Sequence, residues 1–306
     1  MAQVVSTINL KGGVGKTHTT VALAEIISAY FNKRVLVIDL DPQTNATVML
    51  IGEDRWQALN QAHHTLARLF EDAFDPDHRL FDLEAARQRN VSDVQGSRID
   101  LLPSSLDLVD IQDRLATIPP GRFYAQNPID ILARAVRLIL DEYDLVFIDC
   151  PPNLGIITLN GLRISNAYII PTIPDILSTY GIPQVVSRVA QFSEQIAQTI
   201  EPLGIVVSKY RAQSPLHNRT LDLLRNHGAR RLGTDVPAFG PVIRENTKIA
   251  EAAEFIPGKR RTLKQKYGYG GEVDVYLRLA RELLQKLGDQ SVAQAGTTTN
   301  QGPIAQ

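Results

Sequence analysis

A doubly wound α/β fold, with a mostly parallel twisted sheet flanked by helices, is predicted by three observations. Short β-branched runs alternate with longer helical stretches along most of the chain. The runs are apolar on both alternating faces, as strands covered by helices on two sides must be. A glycine-rich turn joins the first such run to the first helical stretch, which is how a βαβ unit opens around an anion.

Residues 3–8 (QVVSTI) read as the first strand, and residues 16–31 as the helix after the turn. Residues 34–40 (RVLVIDL) form an apolar run that ends in acids. Further strands are expected at 98–103, 144–149, 167–172 and 204–209, with helices at 129–142, 182–200, 215–227 and 272–287. Residues 51–95 are irregular and carry Glu71, Asp72, Asp75, Asp77, Asp82 and Glu84. They are expected as a solvated, helical insertion decorating the sheet. A single domain over 1–287 follows, trailed by a polar segment at 288–306 that lacks the apolar residues to bury a core and is expected to be disordered.

Composition removes several classes of function. At 306 residues and 44% hydrophobic, the chain can bury a large core. With 32 Lys+Arg against 33 Asp+Glu, any basic surface must be local. The one cysteine, Cys150, excludes intramolecular disulfides and multi-cysteine metal sites and suits a reducing compartment. The start of the chain has no signal-peptide pattern, and no run approaches a membrane span. A cytoplasmic protein is expected. The six histidines show no metal-ligand spacing, and no histidine near Cys150 in sequence would activate it as a nucleophile.

The turn after the first strand reads Lys11-Gly12-Gly13-Val14-Gly15-Lys16-Thr17. Glycines let consecutive backbone N–H groups face an anion, and the helix N-terminus adds positive potential. Lys16 would reach the β- and γ-phosphates of a nucleotide, and the Thr17 hydroxyl would ligate Mg²⁺. Leu10 stands where the usual phosphate loop has its first glycine, and a second lysine, Lys11, distinguishes the variant. Five residues before Lys16, it is poorly placed to duplicate that contact, but it could serve a nucleotide on a facing subunit. Asp39 and Asp41 close the second strand and Asp149 closes 144–149, at the sheet edge where open α/β folds bind ligands. A nucleoside triphosphate with Mg²⁺ is the expected ligand.

These residues resemble the deviant Walker A ATPases of the ParA/MinD family, and within it the ParA partition proteins. KGGVGKT (11–17), VLVIDLDPQTNAT (35–47) and DLVFIDCPPNLG (144–155) carry the resemblance, with LLPSSLDL (101–108) and VIRENTKIAEA (242–252) in support. It covers most of the chain to about residue 287. The resemblance implies that Lys11 acts across an ATP-sandwich homodimer, while Gly12, Gly13, Val14, Gly15, Lys16, Thr17 and His18 hold the nucleotide. It implies that Asp41 orients the attacking water and that Asp39 and Asp149 organise the metal with Thr17. Pro151, Pro152, Asn153, Leu154 and Gly155 would form a switch that senses the γ-phosphate. His18 departs from the family, which places a small hydroxyl residue there, and 51–95 looks longer than usual. For the base, the resemblance offers only residues 208–211 and 241–243 as candidates.

Two late segments concentrate positive charge. Residues 209–231 hold Lys209, Arg211, Arg219, Arg225, Arg230 and Arg231 against one acid, Asp222; residues 255–271 hold Lys259, Arg260, Arg261, Lys264 and Lys266 with none. With Arg244 and Lys248 they form a candidate phosphate-backbone footprint, and the resemblance implies non-specific DNA binding by the dimer. The expected function is nucleoid-associated partition of a cargo, first of all a plasmid, with hydrolysis stimulated by a ParB-like or adaptor partner. Other cargoes, such as a chromosome or carboxysome, would use the same engine. A MinD-like membrane role is disfavoured because the last helix shows an apolar stripe at Val275, Leu277, Leu279, Leu283 and Leu284 with mixed charge outside it, suited to core packing. A biosynthetic ligase of the same phosphate-loop group is disfavoured by Lys11 and the second aspartate box. With the first strand starting near residue 3, no operator-binding domain is expected ahead of it.

Overall fold

The computed structural model describes residues 2–75, 77–117, 127–226 and 234–288. Eight strands form one sheet: β1 (Gln3–Thr7), β2 (Val35–Asp39), β3 (Gln88–Val91), β4 (Ile99–Leu102), β5 (Leu145–Asp149), β6 (Ala167–Thr172), β7 (Glu201–Tyr210) and β8 (Ala238–Arg244). Their spatial order is β3-β4-β2-β5-β1-β6-β7-β8. Every pairing is parallel except β3 with β4. Register aligns the acid-ended strands: Thr7 lies opposite Asp149, and Asp39 lies opposite Asp149 on the other side.

Alternation along the strands builds two cores. Val5, Val37 and Phe147 face one way, into a core shared with the helix Lys16–Phe31 and the last helix, Glu272–Lys286. Val4, Ile38 and Ile148 face the other, into a core that contains Leu66, Phe70, Leu108 and Ile157. A third cluster around Tyr168, Ile170, Val189 and Leu224 extends that second face under the helix Ile182–Gln195. The helix Lys16–Phe31 is buried along all sides of its middle, from Thr19 to Ser28. Such a helix is held by packing rather than by an amphipathic stripe.

Several expectations change. The insertion does contain helices (Glu53–Gln61, Leu66–Glu71, Leu83–Ala86), but it also supplies β3, an antiparallel edge strand. Within its acidic cluster, Asp72 is buried rather than solvated: it accepts the Leu80 and Phe81 N–H groups at 2.8 and 2.7 Å and pairs with Arg68. The helix expected at 129–142 is broken into Ile131–Val136 and two short 3₁₀ turns, Pro128–Asp130 and Leu140–Glu142. β8 was not anticipated, because Gly240 and Pro241 interrupt its pattern; an edge position tolerates both. On the last helix the buried face is Val273, Tyr276, Leu279, Ala280, Leu283 and Leu284, while Val275 and Leu277 are half-buried. That helix packs on Lys16–Phe31 and β8, and among the described residues no helix is long and apolar enough to cross a membrane. Except for Gly288, the tail 288–306 lies outside the described residues.

Candidate functional site

The loop between β1 and the helix Lys16–Phe31 sits near the middle of the sheet, where the strand order runs outward in both directions. In open α/β sheets this crevice is where ligands bind. Gly13 and Gly15 have φ of 75° and 81°. A side chain at either would be strained, and a Cβ on Gly15 would come within 3.3 Å of the Ser208 hydroxyl. Neighbouring strands clamp the loop. Asn9 donates to the Pro171 carbonyl, the Ser208 hydroxyl donates to the Val14 carbonyl at 2.7 Å, and Lys209 Nζ donates to the Gly13 carbonyl at 2.8 Å.

Charge converges on this loop. Lys16 is buried, and its Nζ donates to the Lys11 carbonyl at 3.3 Å. Burial lowers its pKa, opposed by Asp149 and Asp41. Burial likewise pushes the carboxyls of Asp39, Asp41 and Asp149 up from their ordinary range. The two aspartates opposite each other, Asp39 and Asp149, differ in occupancy. Asp39 accepts from the Asp41 N–H at 3.1 Å and from the Thr47 N–H and hydroxyl at 2.9 and 2.7 Å. Asp149 accepts from the Thr20 hydroxyl at 3.4 Å and from the Thr17 side chain, yet its Oδ2 is buried with no partner, as is the neighbouring Thr7 Oγ1. A divalent cation bound by Thr17 and Asp149 fits that arrangement, since it would offset the buried negative charge. Among the described residues no three His, Cys, Asp or Glu side chains form a metal cage unaided. Mg²⁺ would therefore complete its shell from phosphate oxygens and water, as it commonly does. Asp41 is held by the Gln43 N–H at 3.0 Å, and the Ser104 hydroxyl donates to its carbonyl at 2.7 Å. Pro151, Pro152, Asn153, Leu154 and Gly155 follow β5 directly, turned by the Gly155 N–H donating to Asn153 Oδ1 at 2.8 Å; Pro152 reaches the cavity wall.

Lys11 behaves differently from Lys16. Its Nζ leaves the cavity and donates to Ser178 Oγ at 2.8 Å, with Asp175 Oδ1 at 3.5 Å. Asp175 caps the short helix Ile176–Tyr180, whose Ile176, Leu177 and Tyr180 are exposed. Sequence reasoning missed Asp175, Ser178 and Gln43, because each acts through a contact remote in sequence or through its backbone; Ser208, expected only as a candidate for the base, clamps the loop at Val14.

The AAA domain family matches residues 2–202. The chromosome-partitioning ATPase Soj of Thermus thermophilus is 31% identical over 92% of this chain and 96% of that protein. The chain belongs to the ParA/Soj/MinD family of deviant Walker A ATPases. The sporulation initiation inhibitor protein Soj of Bacillus subtilis is 27% identical over 92% of this chain and 98% of that protein. Among solved structures, apo McdA of Cyanothece is similar at TM-score 0.71 and 20% identity, over 92% of this chain and all of that one. Cobyrinic acid a,c-diamide synthase of Mycobacterium smegmatis, solved with ADP and magnesium, is similar at TM-score 0.69 and 24% identity, over 94% and 96% of the two chains. Those two likenesses are of fold.

A ParA-family ATPase with this loop makes no use of Cys150 as a nucleophile. The thiol is fully buried, and burial followed by the Asp149 charge pushes it up to about 12. The basic candidates divide sharply. Arg219, Arg244, Lys259, Arg260 and Lys264 are exposed and make no ion pair among the described residues, and Arg244 also lines the cavity at the phosphate loop. Lys209, Arg211 and Arg225 are exposed too, but engaged: Lys209 donates to the Gly13 carbonyl and lines the same cavity, Arg211 pairs with Glu245, and Arg225 donates to the Gly240 carbonyl; Lys248 pairs with Glu251. Arg261 is bound to Asp93. Lys266 is a correction: it is fully buried, with Nζ 2.6 Å from Glu25 and 3.0 Å from Asp93, so it cannot touch a phosphate backbone. Glu25 is itself fully buried on the helix Lys16–Phe31, and an uncompensated carboxylate there would be costly. Arg230 and Arg231 lie outside the described residues.

Proposed function

We propose that this ParA-family ATPase is a nucleotide-gated partition switch whose ATP-bound dimer grips DNA without regard to sequence. Lys11 carries the reading. Its ammonium is turned out of its own cavity, held by Ser178 and Asp175, while Lys16 fills that role inside, so on leaving those partners it would serve a nucleotide held by a second copy. There it would neutralise charge developing on the transferred phosphoryl group. Lys16 and the backbone N–H groups of residues 12–17 would bind the triphosphate, with Mg²⁺ on Thr17 and Asp149. Asp41 would orient the attacking water, and Asp39, tied to Thr47, would set the position of the Asp41 backbone. The segment from Pro151 through Pro152, Asn153 and Leu154 to Gly155 would report the γ-phosphate.

The DNA footprint would be the exposed residues not engaged by a partner, Arg219, Arg244, Lys259, Arg260 and Lys264. Hydrolysis, stimulated by a ParB-like or adaptor partner, would release the dimer in the cytoplasm, over the nucleoid. A plasmid is the first cargo to test, and the partition names of the relatives support that class of role. The deciding experiment measures binding to a non-specific duplex with ATP, ADP or no nucleotide, for the wild type and Lys11→Ala. Binding with ATP alone, lost in the variant, is expected. Binding indifferent to nucleotide would overturn the gated reading.

A further inference from the structure

The cavity that begins at the phosphate loop extends well past it. It measures about 570 Å³, and its far wall is apolar, built by Val48, Met49 and Ile249. A second cavity of about 510 Å³ shares Asn246, Ile249 and Tyr276 with the first and adds Glu272. Around this junction three buried polar atoms have no hydrogen-bond partner among the described residues: His18 Nε2, Tyr276 OH and Glu272 Oε2. Native folds rarely leave such atoms unpaired without a reason. Tyr276 is fully buried, and its ring lies 6.1 Å from that of His18. Glu272 is oriented from its other oxygen, since Oε1 accepts from Asn246 Nδ2 at 2.8 Å. An acid in the first turn of the helix Glu272–Lys286 suits the helix dipole, but that does not account for a buried, unpaired oxygen.

We propose that this junction is the purine subsite and that Glu272 reads adenine, its Oε2 accepting a hydrogen bond from the 6-amino group. The proposal rests on the reading that ATP occupies the phosphate-loop end. His18 follows Lys16 and Thr17 on the helix, so a nucleoside leaving the phosphates passes it and enters the apolar chamber. The base lies against Val48, Met49 and Ile249. A neutral imidazole and a phenol can each donate one hydrogen bond, so His18 and Tyr276 meet N3 and N7 of the purine, which accept in adenine and hypoxanthine alike. A carboxylate offers acceptors only. Opposite a 6-oxo group, two acceptors would face each other in a buried site, and the carboxylate would lose its partner.

The test compares ATP with inosine triphosphate, which carries a 6-oxo in place of the 6-amino group. Dissociation constants with Mg²⁺ are measured for the wild type, Glu272→Gln and His18→Thr, with thermal melts as folding controls. The wild type is expected to prefer ATP by about 10-fold or more. Glu272→Gln keeps an acceptor for Asn246 while offering an N–H to a 6-oxo group, so the preference should fall to parity or invert. His18→Thr should weaken both ligands alike, because N3 and N7 are acceptors in both bases. Equal affinity of the wild type for the two triphosphates, or an undiminished ATP preference in Glu272→Gln, overturns the proposal. If neither triphosphate binds the wild type, or Lys16→Ala binds ATP as well as the wild type does, the underlying nucleotide reading has failed instead.

Discussion

Lys264 and Lys266 stand two residues apart in one basic run, yet their environments are opposite. Lys264 is exposed, and Lys266 neutralises Glu25 and Asp93 in the interior. Lys266→Ala should therefore destabilise the fold by about 3–5 kcal/mol in chemical denaturation, because it strands buried carboxylates. Lys264→Ala should leave stability unchanged and reduce the salt dependence of DNA binding by about one phosphate. Nothing local in the sequence distinguishes the two; Glu25 lies 241 residues before Lys266. His18 gives a pH signature. Burial, then the charges of Lys266 and Lys209, lower its pKa from 6.5 to about 4. Between those values the unfolded chain binds the extra proton, so stability is complete above about pH 6.5 and falls as pH drops toward 4. The loss approaches about 3 kcal/mol and should be absent in His18→Gln, as read from urea midpoints across that range.

At the scale of elements, the loop from β1 into the helix Lys16–Phe31 was legible because its chemistry is contiguous. Gly13, Gly15, Lys16 and Thr17 fall where successive N–H groups must turn toward an anion. β3 and β8 were not legible, since a four-residue strand and one holding Gly240 and Pro241 have too little pattern to stand out. The helix Ile176–Tyr180 is held at its start by Asp175, which accepts from the Ser178 N–H at 2.6 Å. Asn caps as well as Asp, and Ala does not. Asp175→Ala should thus cost about 1 kcal/mol, and Asp175→Asn very little. Both remove the negative charge facing Lys11. Both should shift the ATP-dependent monomer–dimer midpoint to lower protein concentration in sedimentation experiments; an unchanged midpoint would show that Lys11 is not restrained by Asp175.

For the whole molecule, the exposed cations act against a chain of net charge −1, so DNA affinity must come from a local face. The logarithm of the affinity should fall linearly with that of salt concentration, with a slope of about −0.9 per phosphate contacted. Five exposed cations without an ion pair among the described residues, on each of two subunits, make that dependence steep, and a nearly flat response would count against the footprint. Chelating Mg²⁺ should abolish hydrolysis and, with it, release from DNA; phosphate release and filter binding measured together would check both.

The amino-acid sequence by itself determined the α/β class, the phosphate loop with its paired lysines, and the aspartates that end β2 and β5. Each is a property of a few consecutive residues, whose φ requirements, periodicity and charge can be read without knowing what they touch. Tertiary structure alone decided the order of the strands, the direction in which Lys11 points and the burial of Lys266. It also brought His18 and Tyr276 to one cavity junction with Glu272. These are contacts between residues far apart in the chain, and their energies depend on burial and on a partner's charge. Neither exists until the sheet has closed over both faces.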